Sequence, residues 1–459
     1  MSGAKNMRKR CITIMVVILM MAFAGIAFGA ISPEEAAKLG TTLTGVGAEK
    51  VGNKDGTIPP YIGGLTTPPA SYKPGSGNYT DPFAGEKPLF SINAQNMNQY
   101  ANRLTEGTKT LMKRFPTYRI DVYKTHRTAA FPDSVIKNTA TNAVKTTTYN
   151  GGLSMKGAHA GYPFPIPKDG YEAMWNHLVL YSGRAYEWTW KTFVVDASGR
   201  LINTSVGTGW DDFPYYDEKG LSKSDEGIYY KTRWLLTGPP RSNGEAGQLK
   251  DPINMYEQGR VAYQYLPGQR RIKLAPEIGF DSPGITTLGA STFDEIHGFN
   301  GSMDRYNMKL IGKKEVYVPY NTYKASYQTT ANELFGTKHQ NPDVVRWELH
   351  RVWVVEGTLR PGKRHIYAKR VFYLDEDSWA ILAGENYDAH GFLFKAFFNH
   401  QAPLYDIPSV WSFFVISYNT ISGVYYADHW PGKNGYVRRI NVFPEREWSP
   451  SRLTGIGVR

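Results

Sequence analysis

Short segments in which large apolar side chains alternate with polar ones recur from Ala185 to near the end of the chain. Residues 186–190 show this most clearly, since tyrosine or tryptophan occupies every second position. A period of two is typical of a strand with one buried face. Turn signals separate these segments, and no predicted helices alternate with them. The sequence therefore predicts a mainly β fold, a long antiparallel meander of about eleven or twelve strands that curls into an incomplete barrel closed by a few helices. A separate strand is predicted at 118–124, and the predicted strands of the meander are 186–193, 201–206, 227–236, 259–266, 271–275, 304–311, 345–356, 364–374, 379–387, 391–398, 421–429 and 435–443.

The front of the chain follows other patterns. Ser32, followed by proline and by glutamate three residues later, predicts a short helix that ends near Leu39. Residues 45–90 are rich in glycine and proline, so they cannot form regular ladders. We interpret them as an extended arm, with disorder as the alternative, and we expect it to be docked by Tyr61, Ile62, Leu65, Tyr72 and Phe83.

Helical spacing of apolar residues predicts two helices, at 93–115 and 169–181. We expect the chain to divide into a signal segment (1–29), a helix with its arm (30–90), and a single β domain (91–459). In that domain the two helices would act as lids over the sheet.

Residues 1–29 have the three parts of a secretory signal peptide: a basic start, an apolar stretch, and small residues around Gly29. We expect cleavage near Gly29 and export to the periplasm, with association with the outer membrane as an option. An uncleaved membrane anchor is the alternative. The only cysteine, Cys11, lies inside this segment and outside any lipidation motif. The exported chain would therefore have no disulfide and no thiolate chemistry.

The full chain carries a net charge of +12, but its cations are scattered, which is unlike a nucleic-acid-binding protein. Arg346, Arg351, Lys363-Arg364 and Lys369-Arg370 form a basic run on predicted strands. This run is interpreted as a solvated hairpin face or, alternatively, as a contact for an acidic headgroup or partner.

We find no sequence motif for nucleophilic, nucleotide-dependent or zinc-dependent catalysis, so no catalytic residue, metal ligand or cofactor is predicted. The ten histidines are scattered, and His390 and His400 would lie at opposite ends of one strand. Paired acids remain as candidates for glycoside hydrolysis, which needs two carboxyl groups at a defined separation across a cleft. These acids are Asp211-Asp212, Asp294-Glu295 and Asp375-Glu376-Asp377.

A long antiparallel sheet must curl because its strands twist. If the helices fill the curled sheet incompletely, an aromatic-lined cavity for an apolar ligand remains; a fully packed core is the alternative. The predicted lining residues are Tyr100, Leu104, Trp175, Tyr186, Trp188, Trp190, Trp347, Trp353, Phe392 and Phe394.

Several strings together resemble the Gram-negative family of unknown function numbered 1329, described as outer-membrane lipoprotein-sorting-like proteins. They are Gly56–Pro59, Gly161–Pro167, Glu172–Leu178, Tyr265–Lys273, Glu348–Glu356 and Tyr373–Trp379. The resemblance covers roughly residues 30–450. It implies a fold like the periplasmic lipoprotein carrier and its receptor, with a resistance-nodulation-type exporter and an outer-membrane protein as neighbours.

Three functional hypotheses follow. The first is a periplasmic carrier or adaptor for a lipid or other apolar ligand, acting in outer-membrane trafficking without catalysis. The second is a hydrolase that acts on envelope glycan or lipid through paired carboxylates. The third is a structural scaffold within an exporter complex.

Overall fold

The computed structural model describes residues 30–220, 227–412 and 414–457. The predicted signal peptide, residues 1–29, lies outside these residues. Among the described helices, none has both the length and the apolar character that a membrane crossing requires.

The described residues contain twenty strands. They are β1 (Phe90–Asn93), β2 (Arg119–Val122), β3 (Thr147–Tyr149), β4 (Ser154–Lys156), β5 (Ala185–Val195), β6 (Leu201–Asp212), β7 (Ile228–Gly238), β8 (Ala246–Pro252), β9 (Val261–Leu266), β10 (Arg271–Leu274), β11 (Tyr306–Pro319), β12 (Arg346–Leu359), β13 (Lys369–Asp375), β14 (Ile381–Tyr387), β15 (Leu393–Asn399), β16 (Ala402–Leu404), β17 (Ser409–Trp411), β18 (Val415–Asn419), β19 (Tyr425–Trp430) and β20 (Val437–Arg439).

The helices are few, as the sequence predicted, and they are short. They are α1 (Pro33–Ala36), α2 (Glu106–Arg114), α3 (Asp133–Ala143), α4 (Gly170–Leu178), α5 (Met255–Gln258), α6 (Ala331–Leu334) and α7 (Arg452–Gly457). Short stretches of tighter or wider helix occur at Met97–Arg103, Pro214–Tyr216, Pro267–Gln269, Phe293–Gly298, Lys324–Gln328, Pro342–Val344 and Glu445–Trp448.

One sheet of sixteen strands dominates the molecule and does not close on itself. Its main path runs β1-β2-β12-β13-β14-β15-β18-β19-β5-β6-β7-β8-β9-β10, with β11 added beside β12 and β20 beside β5. The pairings are antiparallel except between β2 and β12. The predicted mainly β, incomplete-barrel architecture is therefore confirmed. The chain forms two local meanders, β5–β10 and β12–β19. Pairing of β19 with β5 joins them, so the end of the later meander lies beside the start of the earlier one.

The prediction of one continuous helix over 93–115 is wrong. Asn93 ends β1, a single tight-helical stretch follows, and the chain is extended again at Thr105, whose side chain caps α2 by accepting from the Thr108 amide. A threonine N-cap needs extended backbone, so it breaks the helix that the apolar spacing suggested. The predicted helix 169–181 is α4, which begins after the Asp169 N-cap.

The sheet packs on both faces. Trp188 and Trp190 of β5 belong to one buried cluster with α4, and we call this side the inner face. Phe193 and Val195 of the same strand belong to a second cluster with α2, which we call the outer face. The two predicted lid helices therefore lie on opposite faces of the sheet, so they do not cover the same cavity.

The glycine- and proline-rich arm is ordered against the surface. Tyr72 and Tyr79 both donate hydrogen bonds to Asp406, at 2.6 and 2.8 Å, and Tyr61 donates to the Ala129 carbonyl at 2.8 Å. Ile62, which the sequence predicted as another anchor, is 92% exposed. Leu65 and Phe83 pack against the core, and the tyrosines bring both an apolar ring and a donor.

Candidate functional site

A cavity of about 90 Å³ lies on the inner face, and we call it the tryptophan cavity. Side chains of β5, β7, β8, β9 and β19 surround it. Its cover comes from residues 275–305, the long connection between β10 and β11, which we call the roof loop. The contributions of five strands to one cavity indicate the curvature that the length of the sheet predicted.

Three tryptophans form the floor of this cavity. Trp188 and Trp190 on β5 pair directly with Gly209 and Gly207 on β6, and Trp234 on β7 pairs with Gly247 on β8. A Cβ atom on any of these glycines would lie only 2.2–2.5 Å from the paired indole ring. The glycines therefore allow the indoles to lie across the neighbouring strand, a packing of aromatic over glycine that also fixes strand register.

Two histidines enter the cavity from strained backbone. His429 lies where the β19–β5 register shifts, with φ +57°, and His297 in the roof loop has φ +58°. Such left-handed conformations are uncommon for non-glycine residues, and bulges re-aim side chains. The two rings lie 6.1 Å apart, and His429 meets the edge of Trp188 at 5.0 Å. Burial lowers the pKa of both histidines, so both are neutral at pH 7.

Other polar groups in the cavity wall are held by neighbours. Arg260 forms two hydrogen bonds of 2.7 Å with Asp251 and also contacts Asn300 of the roof loop. Asp428 accepts from Thr192 at 2.6 Å and from Thr286 of the roof loop at 3.2 Å. Burial raises the pKa of Glu245. The wall thus places a few oriented polar groups around an aromatic floor, the usual composition of a small-molecule site.

Two buried acids anchor the roof loop to the sheet. Asp294 pairs with Arg370 at 2.8 Å and with His365 at 3.0 Å. Burial alone would raise the pKa of Asp294, but the charge of Arg370 and the His365 hydrogen bond lower it to about 2. Glu295 pairs with Lys395 at 3.0 Å and accepts from Tyr367 at 2.8 Å. These ion pairs fix the middle of the loop, since a buried charge is tolerated only with its partner.

Only two of the predicted lining residues, Trp188 and Trp190, lie in the tryptophan cavity. Trp175, Tyr186 and Trp353 belong to the inner-face core, outside the cavity wall. The remaining five residues lie elsewhere: Tyr100, Leu104 and Trp347 pack on the outer face, Phe394 lines a second cavity, and Phe392 is 66% exposed.

Sequence reasoning missed Trp234, the two cavity histidines and the roof loop. One signal was available, because Trp188-Thr-Trp190 faces Gly207-Thr-Gly209 across a predicted hairpin. The histidines gave no such signal, since a register shift and a loop conformation bring them together.

The candidate carboxylate pairs have structural partners. Asp211 and Asp212 are consecutive strand residues and point to opposite faces, and Asp212 pairs with Arg184 and Lys231. Burial raises the pKa of Asp211 to about 7. Asp377 binds Arg127 through both of its oxygens, and Glu376 pairs with Arg351 and Lys313.

One group of buried side chains has the composition of a metal site. Possible ligand atoms of His350, Asp375 and Asp377 lie within 4.8 Å of one another. Asp375 already accepts hydrogen bonds from Tyr320 at 3.0 Å and from Ser378 at 2.6 Å, and His350 contacts Glu348 at 3.1 Å. We therefore interpret this group as a polar core that ties the arm and the β13–β14 turn together.

The fold and the site define a class of protein: a β protein whose open, mixed sheet curves around a small cavity with a tryptophan floor. Residues 91–454 match the family model described as "Protein of unknown function (DUF1329)", and the chain belongs to this family. The membership predicted from the sequence strings is therefore confirmed.

Known proteins and structures are similar to the chain to different degrees. It is 38% identical over 452 residues to "Uncharacterized protein PA3922" of Pseudomonas aeruginosa, covering 96% of this chain and 98% of that protein. The crystal structure of a DUF1329 family protein from Desulfovibrio piger is 14% identical, with a TM-score of 0.43, over 61% of this chain and 95% of that one. That of a putative outer membrane lipoprotein-sorting protein domain from Vibrio parahaemolyticus is 15% identical, with a TM-score of 0.41, over 61% and 96%.

Proposed function

We propose that this protein is a periplasmic carrier that binds a lipid or another apolar ligand against the tryptophan floor. The observation that carries this proposal is the pairing of three indoles with three glycines, which exposes aromatic surface to a cavity instead of filling it. Indole faces bind apolar ligands by excluding water, at about 25 cal/mol for each Å² of apolar surface buried.

The cavity is too small for a lipid. A cavity of about 150 Å³ admits benzene, and sites for drug-sized ligands occupy about 300–1,000 Å³. At about 90 Å³, the tryptophan cavity is below both volumes. Loading would therefore require the roof loop to move. Residues 284–292 precede the ion pairs of Asp294 and Glu295, and their hydrogen bonds to the sheet, Thr286 to Asp428 and Lys395 to the Ala290 carbonyl, would have to open.

The partners of the acids favour a carrier over an envelope hydrolase. Asp294, Glu376 and Asp377 form buried ion pairs, and Asp211 and Asp212 point to opposite faces. Neither arrangement presents two carboxyl groups across a cleft, as glycoside hydrolysis needs. An exporter of the resistance-nodulation type and an outer-membrane protein remain proposed partners, on the family resemblance alone.

The test is ligand binding by protein recovered after export. Native mass spectrometry should detect a bound apolar molecule, and an apolar fluorescent probe should bind saturably. Trp190→Leu should weaken probe binding, because it removes floor surface. Trp210→Leu is the matched control, because Trp210 lies on the next strand and points to the opposite face.

Two results would contradict the proposal. One is the absence of both a co-purified apolar molecule and saturable probe binding. The other is equal loss of probe binding in the Trp190 and Trp210 variants, which would place the probe outside the tryptophan cavity.

A further inference from the structure

Four exposed apolar side chains occur together at one end of the sheet, and we call them the apolar rim: Leu288, Ile366, Phe392 and Ile421. They are 59%, 47%, 66% and 58% exposed. Leu288 is in the roof loop, and the other three lie in the turns before β13, between β14 and β15, and between β18 and β19. Antiparallel neighbours bring these turns to the same end of the sheet.

Ile366 of the rim also lines a second cavity, of about 230 Å³, which we call the rim cavity; Leu288 and Ile421 adjoin its lining residues Gly289 and Ser422 in the chain. Ile366, Phe394, Val424 and Tyr426 provide its apolar walls, and Gly289 to Thr292 of the roof loop form another wall. Thr292 lines both the rim cavity and the tryptophan cavity. The roof loop therefore separates an opening that has apolar edges from the proposed ligand site.

Cations surround the apolar rim. Arg364 and Lys369 flank Ile366 in the chain, and Arg114 at the end of α2 donates to the Ile421 carbonyl at 3.0 Å, with Lys113 beside it. Within the described residues, these four cations have no carboxylate partner. Asp304 and Glu106 pair with Lys363 and Lys109, and Asp388, in the turn of Phe392, accepts from the backbone amides of His390 and Phe392. The basic run noted in the sequence thus divides into buried ion pairs, as for Arg370, and exposed charge beside the rim.

We propose that the apolar rim and its four cations form a docking surface for an anionic lipid bilayer. Protruding apolar side chains that are ringed by lysine and arginine combine the two terms that hold a protein on such a membrane: burial of apolar surface and attraction to anionic headgroups. A protein partner would more often be met by a packed aromatic core with few charges. In this position the roof loop would face the bilayer, from which a ligand could enter.

The surface can be tested by vesicle cosedimentation with the exported form of the chain, its N-terminus verified by mass. Vesicles of phosphatidylcholine with phosphatidylglycerol should bind it more strongly than pure phosphatidylcholine. Binding should weaken at ~1 M salt, where the screening length falls to about 3 Å. The double variant Phe392→Ser with Ile421→Ser should lower the partition coefficient at least about tenfold, since burial of one phenyl ring alone is worth about that factor.

Matched variants distinguish binding through the apolar rim from non-specific adsorption to vesicles. Ile62→Ser removes the most exposed apolar side chain of the arm. Ile62 lies near the β13–β14 turn, at the other end of the sheet, so this variant should leave vesicle binding unchanged. Arg364→Gln with Lys369→Gln should weaken binding about fivefold for each cation removed, on anionic vesicles only. Circular dichroism and the thermal midpoint should show that every variant is folded.

The proposal is overturned if the folded protein binds neither type of vesicle at low salt, or if the rim variants and Ile62→Ser lose binding equally. Binding to vesicles that is insensitive to the rim variants overturns it as well. This test is independent of the carrier proposal, because vesicle binding is measured without any ligand. An empty protein could dock, and a loaded carrier could fail to dock.

Discussion

The packing of indoles over glycines predicts that adding one methyl group at such a glycine will disturb the tryptophan floor. In Gly209→Ala, the new Cβ would lie 2.5 Å from Cε2 and Nε1 of the Trp188 indole. Non-bonded carbon atoms prefer about 3.5–4.0 Å, so the ring must move by about 1 Å. Trp190 at 4.7 Å, Trp411 at 5.3 Å and His429 at 5.0 Å surround the ring, which leaves the cavity as the direction of escape.

The magnitude follows from two opposing terms. Overpacking of this kind costs about 1–3 kcal/mol of unfolding free energy. Replacing glycine by alanine inside a strand recovers about 0.5–1 kcal/mol of backbone entropy. We therefore expect Gly209→Ala to lower the free energy of unfolding by about 1 kcal/mol, within a range of about 0–2.5 kcal/mol. It should also weaken binding of an apolar probe, because the displaced indole enters the cavity.

The assays are urea unfolding and probe titration, with Gly268→Ala as the control. Gly268 has open space around its Cβ direction and no left-handed φ, so its substitution should be neutral or slightly stabilising. In a Trp188→Leu background, Gly209→Ala should cost less, because the clashing ring is gone, and a double-mutant cycle measures that difference. Equal effects in both backgrounds, or a Gly209→Ala protein with unchanged stability and binding, would refute the packing argument.

Three further predictions concern buried charge and capping. His400 is fully buried, stacks on Phe414 at 4.3 Å, and has a pKa lowered by burial to about 3. Its unfolded pKa is near 6.5, so the unfolded chain binds the extra proton and stability is lost as pH falls below that value, by about 1.4 kcal/mol per unit. The stability of His400→Phe relative to the parent should thus rise by about 2 kcal/mol between pH 7 and pH 5 in urea unfolding, and a pH-independent difference would contradict this reasoning. Glu295→Gln leaves Lys395 buried without its anion, so it should cost about 3–5 kcal/mol and expose the roof loop to proteolysis. Adding Lys395→Met should recover much of that loss, and an additive double variant would show that the two groups are not coupled. Thr105→Ala removes the N-cap of α2 and should cost about 1 kcal/mol, measured by thermal unfolding, whereas an unchanged midpoint would show that the cap is dispensable.

The local patterns were predictable because they depend on neighbours in the chain. The alternation in residues 186–193, the serine cap at Ser32 and the apolar spacing in 169–181 reappear as β5, the start of α1 and α4. The mainly β architecture follows from these patterns, since a chain with many half-buried strands must pair them. The prediction of a helix over 93–115 failed because it overlooked a local capping signal, the N-cap Thr105, which interrupts the helix.

The candidate site is different, because it depends on contacts between distant segments. The β19–β5 pairing joins the two meanders and brings the bulge at His429 next to Trp188 and Trp190. The roof loop is fixed by the pairing of Asp294 and Glu295 with cations about 75 and 100 residues away. The sequence alone therefore determined thirteen of the sixteen strands of the main sheet, without β1, β8 and β18, and the family, since period and turn chemistry are local. Only the tertiary structure decided which tryptophans form a floor and which apolar side chains remain exposed at the rim, because sheet order and loop anchoring arise from long-range packing and buried charge.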